Sequence, residues 1–185
     1  MTHPWHPIDG GVTAPQGFLA AGITAGLKAS GKPDLSLVLA PPGAVCAGTF
    51  TTSVVRAACV DLCAERLVAS GGQARAVLIN SGQANACTGD RGLIDSLRAT
   101  QAVADLLGLA ADEVLICSTG VIGVPIPMDT LIAGVDPLVE SLSPQGGGRL
   151  PPRSSLPIWS TSRSPWKRSW VAAGCGLAAW PRGRE

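Results

Sequence analysis

Strand-like and helix-like segments alternate along this chain, and that alternation predicts a layered α/β fold. Two further observations agree. Hydrophobic residues make up 46% of the 185 positions and charged residues 15%, the balance of a globular rather than a disordered chain. The strings "AVLI" and "EVLI" each stop abruptly in small polar residues and glycine, as strands do at the rim of an α/β sheet.

Taken in order, "DLSLVLAP" (Asp34–Pro41) alternates apolar and polar positions until Pro41-Pro42 stops it, which predicts a strand. "GTFTTSVV" is rich in β-branched residues and predicts a second strand. "AACVDLCAERLVASGG" places Val60, Cys63, Leu67 and Val68 on one helical face and ends at Gly71-Gly72. "ARAVLIN" reads as a buried strand running into "SGQANACTG". The next helix has Leu93, Ile94, Leu97, Val103, Leu106 and Leu107 at helical spacing, with Asp90 as candidate N-cap and Gly108 as candidate C-cap. "DEVLICS" is another buried strand, and "MDTLIAGVDPLVESL" a helix that Pro137 is expected to kink or split. No internal repeat is present.

The bulk composition narrows the function classes. No apolar run is long enough to cross a bilayer, and "MTHPWHPIDGG" has neither a basic start nor an apolar centre. The six cysteines therefore read as reduced thiols of a cytoplasmic protein. Cys59 and Cys63 lie four apart, but no second pair or histidine completes a metal site. Both histidines, His3 and His6, fall in the first six residues, which excludes a histidine base elsewhere in the sequence. There is no P-loop and no G-x-G-x-x-G, so nucleotide binding has no sequence support.

Charge divides the chain near Gly146-Gly147-Gly148. Residues 1–148 hold seven of the 14 basic residues and 12 of the 13 acids, a net of −5. Residues 149–185 hold the other seven bases, one acid and four of the five tryptophans, a net of +6. The expected organisation is a body, 1–146, and a basic, tryptophan-rich tail, 147–185. Arginine with aromatics would suit RNA or a membrane surface, but the bases and tryptophans form no amphipathic stripe. Such composition also arises when a GC-rich gene is read out of frame. The tail is read as a frame-shifted or disordered end, with no nucleic-acid or membrane partner.

The two small polar segments, Asn80-Ser81-Gly82 and Ser118-Thr119-Gly120, carry whatever chemistry the body has. In α/β folds ligands gather where strands end and loops begin. Glycine lets backbone N–H groups approach an oxyanion, and a threonine hydroxyl adds a second donor, each worth about 2.7–4 kcal/mol in acyl transfer. The same residues also suit ordinary strand–turn–helix connections, and their types alone leave both readings open.

Four blocks in fixed order resemble the ornithine acetyltransferases, or glutamate N-acetyltransferases, of arginine biosynthesis. They are "GGVTAPQGFLAAGITAGLKASGKPDLSLVLA" (Gly10–Ala40), "AGTFTTSVVRAACV" (Ala47–Val60), "AVLINSGQANACTG" (Ala76–Gly89) and "STGVIGVPIPMD" (Ser118–Asp129). The resemblance spans Gly10 to Leu142. Ser53 and Gln83 stand where that family usually has asparagine, and Cys59 where it has proline.

The resemblance implies a sheet-and-helix fold like that of N-terminal-nucleophile hydrolases, incomplete here. It implies an oxyanion hole formed by Thr119 and Gly120. It also implies a threonine nucleophile, freed by self-cleavage, whose own α-amino group is the base. Acetyl would pass from N-acetylornithine, or in bifunctional members from acetyl-CoA, to glutamate, with no metal or cofactor. The family α-chain pairs with a β-chain from the same precursor in an α2β2 heterotetramer.

After Leu142 neither the family's T-T-D block and substrate-contacting lysine nor its M-A-T cleavage segment occurs. Thr161, the one threonine left, lacks that context, so the sequence offers no nucleophile and no assigned substrate-binding residue. The expectation is the α-chain part of an acetyltransferase, inactive alone. The alternatives are a non-catalytic product binding through its basic tail and part of a related aminopeptidase.

Overall fold

The computed structural model describes residues 11–148 and the backbone of residues 177–181. The histidines, Thr161 and most of the basic tail lie outside the described residues, and with them the expectation of a frame-shifted or disordered end.

The first strand, β1 (Leu19–Ile23), was not expected, because "LAAGI" is short and dominated by small residues. It becomes a strand by pairing antiparallel with the apolar β2 (Leu35–Leu39), Leu19 opposite Leu39. The strand expected over Gly48–Val55 is displaced: β3 spans Ala44–Gly48 and pairs antiparallel with β6 (Leu177–Pro181). Residues 49–53 join no ladder, and Val54 and Val55 are 95% and 68% exposed. Side-chain bonds shape this stretch instead, with Thr51 Oγ1 accepting from Ser53 N at 3.2 Å and Ser53 Oγ donating to Val55 O at 3.0 Å.

Helix α1 (Ala58–Ala69) buries Cys59, Leu62, Cys63, Arg66 and Leu67. Val68, which the sequence places on one face with Cys63 and Leu67, is exposed. β4 (Ala76–Gln83) pairs antiparallel with β2, and β5 (Val114–Val121) pairs parallel with β4, giving the sheet order β1-β2-β4-β5. A parallel pair needs a long crossover, and α2 (Gly89–Leu107) supplies it. Residues 76 to 81 are buried on both faces of the sheet, which explains why "AVLIN" reads as a continuous rather than an alternating run. Helix α1 lies along β5, an edge strand of this four-stranded sheet: Cys63 Sγ accepts from Ile116 N at 3.4 Å and donates to Ile116 O at 3.2 Å, while Arg66 Nη1 donates to Val114 O.

The largest departure concerns α2. Of the apolar residues at helical spacing Val103 is buried, yet Leu93, Ile94, Leu97 and Leu106 are 43%, 54%, 42% and 47% exposed. The buried face is built from Gly92, Asp95, Ser96, Ala99, Thr100, Val103 and Ala104. Small residues let α2 approach its neighbours closely: a Cβ at Gly92 would stand 3.3 Å from Ala58 Cβ of α1. The buried hydroxyls satisfy themselves inside the helix, Ser96 Oγ on Gly92 O and Thr100 Oγ1 on Ser96 O. Asp90 is not the N-cap, since the helix starts at Gly89 behind Thr88, whose hydroxyl donates to Asn85 Oδ1. Gly108 is the C-cap, left-handed at φ 63°, as expected. Helix α3 (Met128–Glu140) is not split by Pro137 and runs on for three residues beyond it.

Candidate active site

Asn80-Ser81-Gly82 and Ser118-Thr119-Gly120 are not loops. β4 and β5 stay in parallel register to their ends, so Asn80 lies opposite Ser118, Ser81 opposite Thr119 and Gly82 opposite Gly120. The strand-end polar residues expected from the sequence are thus brought side by side. Thr119 is buried and Gly120 exposed, so the pair sits at the rim where the sheet meets solvent.

Two glycines make this packing feasible. Gly120 has φ +135° and Gly82 has φ +133°, a conformation that L side chains rarely adopt. A Cβ on Gly120 would meet the Gly82 carbonyl and lie 2.6 Å from Gln83 N. A Cβ on Gly82 would lie 2.9 Å from Leu27 O. Three backbone segments are therefore stacked in contact: the turn after β1, the end of β4 and the end of β5.

That turn is held from within. The Asp34 carboxylate, buried at the start of β2, accepts from Ala25 N and Leu27 N, both at 2.7 Å, and from Lys28 N at 3.1 Å. Gln83 Nε2 donates to Leu27 O at 2.8 Å. Lys28 Nζ donates to Ser81 Oγ at 3.3 Å, placing an ammonium beside the strand pair. Sequence reasoning missed Asp34, Lys28 and Gln83, because each is joined to the site by contacts across more than 50 residues or by a turn with no glycine-rich signature.

The rim carries unspent polar capacity. Among the described residues, the buried atoms Asn80 Oδ1, Gln83 Oε1 and Ser118 Oγ have no hydrogen-bond partner. Such atoms cost about 1–3 kcal/mol each when buried unpaired. Chemically, the arrangement offers a threonine hydroxyl, an accessible glycine backbone and a nearby cation, which suits an oxygen that gains negative charge. Cys46 and Cys63 do not contribute: burial pushes the Cys63 thiol up to about 12 and the Cys46 thiol up to about 11, leaving both protonated and unreactive. The cleft between the β1–β2 turn and α3, lined by Thr24, Asp129 and Thr130, includes neither Thr119 nor Gly120.

Comparison with known proteins agrees with this fold. The sequence profile of the ArgJ family matches residues 19–164. The arginine biosynthesis bifunctional protein ArgJ of Parasynechococcus marenigrum is 76% identical over 147 residues, 80% of this chain and 36% of that protein. The Synechocystis counterpart is 54% identical over 145 residues, 78% of this chain and 35% of that protein. The chain spans about a third of the length of these curated relatives. The crystal structure of an ornithine acetyltransferase complexed with ornithine, from Mycobacterium tuberculosis, superposes with a TM-score of 0.72 at 46% identity, covering 75% of each chain. A third of the family's length, with the family's strand-end blocks aligned on one rim, is what the structure contains: the chain belongs to the ArgJ family.

Proposed function

We propose that this chain is the amino-terminal, oxyanion-binding part of an enzyme that transfers an acetyl group from N-acetylornithine to glutamate, with acetyl-CoA as a further donor. The observation that supports it most is the alignment of Thr119-Gly120 against Ser81-Gly82 at an exposed strand end. In the proposed reaction a threonine hydroxyl, supplied by a segment this sequence does not contain, attacks the acetyl carbonyl carbon. The carbonyl electron pair moves onto oxygen, which accepts hydrogen bonds from Thr119 Oγ1 and the Gly120 backbone. Collapse expels the ornithine amine, which takes up the proton, and leaves an acetyl ester on the threonine. The glutamate amine then attacks that ester by the same route in reverse.

The body, residues 1–146, supplies this half-site, and residues 147–185 are a basic segment distinct in composition. A β-chain in an α2β2 assembly supplies the nucleophile, in the cytoplasm. Among the described residues no helix is long and apolar enough to cross a membrane. The test is to assemble the 185-residue chain with the remaining segment of the Parasynechococcus relative and follow N-acetylglutamate formation from N-acetylornithine and glutamate. Transfer by the assembly and none by the isolated chain is expected. An assembled complex without transfer, or turnover by the isolated chain above a no-protein control, overturns the reading.

A further inference from the structure

We propose that Lys28 is a positioning residue for the oxyanion donors, acting through Ser81; the proposal rests on the acetyl-transfer reading above. Lys28 reaches the site from the turn after β1, and its backbone is fixed on both sides. Asp34 holds the Ala25, Leu27 and Lys28 N–H groups, and Gln83 holds the Leu27 carbonyl. From that anchored turn the ammonium donates to Ser81 Oγ at 3.3 Å. Ser81 is 5% exposed and lies directly opposite Thr119. Neighbouring strands run about 4.8 Å apart, and residues paired across a parallel ladder point to the same face. The ammonium, the serine hydroxyl and the threonine hydroxyl therefore form one row across three segments.

An ammonium can only donate, so Ser81 Oγ is its acceptor, while the serine's own hydrogen acts as a donor. Polarised in this way in a buried setting, the serine becomes a stronger donor. A ground-state acetyl carbonyl carries only a dipole, whereas the tetrahedral intermediate carries a full charge. The benefit of Lys28 accordingly belongs to turnover rather than to substrate affinity. The turn contributes a second, mechanical effect, because Leu27 O packs on Gly82 and Gly82 packs on Gly120.

The test compares Lys28→Met, Lys28→Gln, Lys28→Arg, Ser81→Ala and Lys28→Met/Ser81→Ala in the assembled enzyme described above, corrected for active-site concentration. Lys28→Met and Lys28→Gln should lower kcat by about 10- to 100-fold with KM changed less than about threefold. Lys28→Arg, which keeps the charge, should stay within about threefold of the unsubstituted enzyme. The double variant should be no worse than the weaker single, because one residue acts through the other. A kcat for Lys28→Met within twofold of the unsubstituted enzyme, an equal loss in Lys28→Arg, or multiplying losses in the double variant overturns the proposal.

If the unsubstituted assembly transfers no acetyl group, the acetyl-transfer reading fails by itself. Lys28 is then judged on the isolated 185-residue chain, titrated with sodium acetate and followed through the amide shifts of Thr119 and Gly120. Lys28→Met should bind acetate at least fivefold more weakly than the unsubstituted chain or Lys28→Arg. Equal affinities, or no acetate-dependent shift in the unsubstituted chain, overturn the proposal.

Discussion

Gly120→Ala should destabilise the chain by about 2–6 kcal/mol, although the residue is exposed. Two costs add. Its φ of +135° lies where non-glycine residues are strained by about 1–3 kcal/mol. The new methyl would then press on the Gly82 carbonyl and on Gln83 N, 2.6 Å away. Both are backbone, so β4 must shift, an overpacking cost of about 1–3 kcal/mol. Gly123→Ala is the control: its φ is +78°, also left-handed, but nothing lies within 4 Å of an added Cβ. It should cost only the local strain, about 1–2 kcal/mol. Urea unfolding followed by far-UV circular dichroism compares the two. With an m-value of about 1–3 kcal/mol per molar, Gly120→Ala should lower the midpoint by about 1 M or more, clearly beyond Gly123→Ala. If the two midpoints coincide, the backbone stack of β4 and β5 is not tight and the site geometry argued from it is wrong.

In the assembled enzyme, Thr119→Ala should lower kcat by about 10²–10³-fold and leave KM nearly unchanged, read by steady-state kinetics on active-site-titrated protein. A loss confined to thermal stability would refute the oxyanion role. Burial holds Cys46 and Cys63 protonated to about 11 and about 12, whereas an unfolded thiol ionises near 9.0. Their contribution to stability is therefore complete below pH 9 and lost as pH rises through those folded values, with a slope of up to about 2.7 kcal/mol per pH unit for two protons. The chain has no tyrosine to confuse the titration, and a flat urea midpoint from pH 8 to 10.5 would contradict this. Leu93, Ile94 and Leu97 on the outside of α2 should make the isolated chain self-associate, and Ile94→Lys should reduce that association in sedimentation velocity. A monodisperse unsubstituted monomer would count against it.

The sequence declares β2 by its alternation up to Pro41-Pro42, and β4 and β5 by apolar runs whose strands are covered on both faces. It declares α1 and α3 by helical periodicity. It hides β1, whose small residues become a strand only through their partner. It misdirects at α2, where leucine spacing identifies a helix but not which side is inside. Close packing there is carried by Gly92, Ala99 and Ala104, residues with little hydrophobic weight. At the site, Thr119 and Gly120 stand out by type and position, while their flanking geometry does not. The register with Ser81 and Gly82 is a long-range fact, and Lys28 arrives through a turn whose importance lies in one buried carboxylate, Asp34.

The contact between α1 and β5 has a consequence for how anything larger can be built on this chain. An open sheet edge is a template on which foreign strands can polymerise. Here the carbonyls of Val114 and Ile116 and the Ile116 N–H are already occupied by Arg66 and Cys63. At the opposite margin Ala20 and Ser143 exchange both backbone bonds at 3.1 Å. Lengthening the sheet at either place would first require breaking these plugs. Further polypeptide is therefore steered away from strand-by-strand growth and onto the faces and the polar rim, which guards against fibrous aggregation while leaving the rim open to a partner.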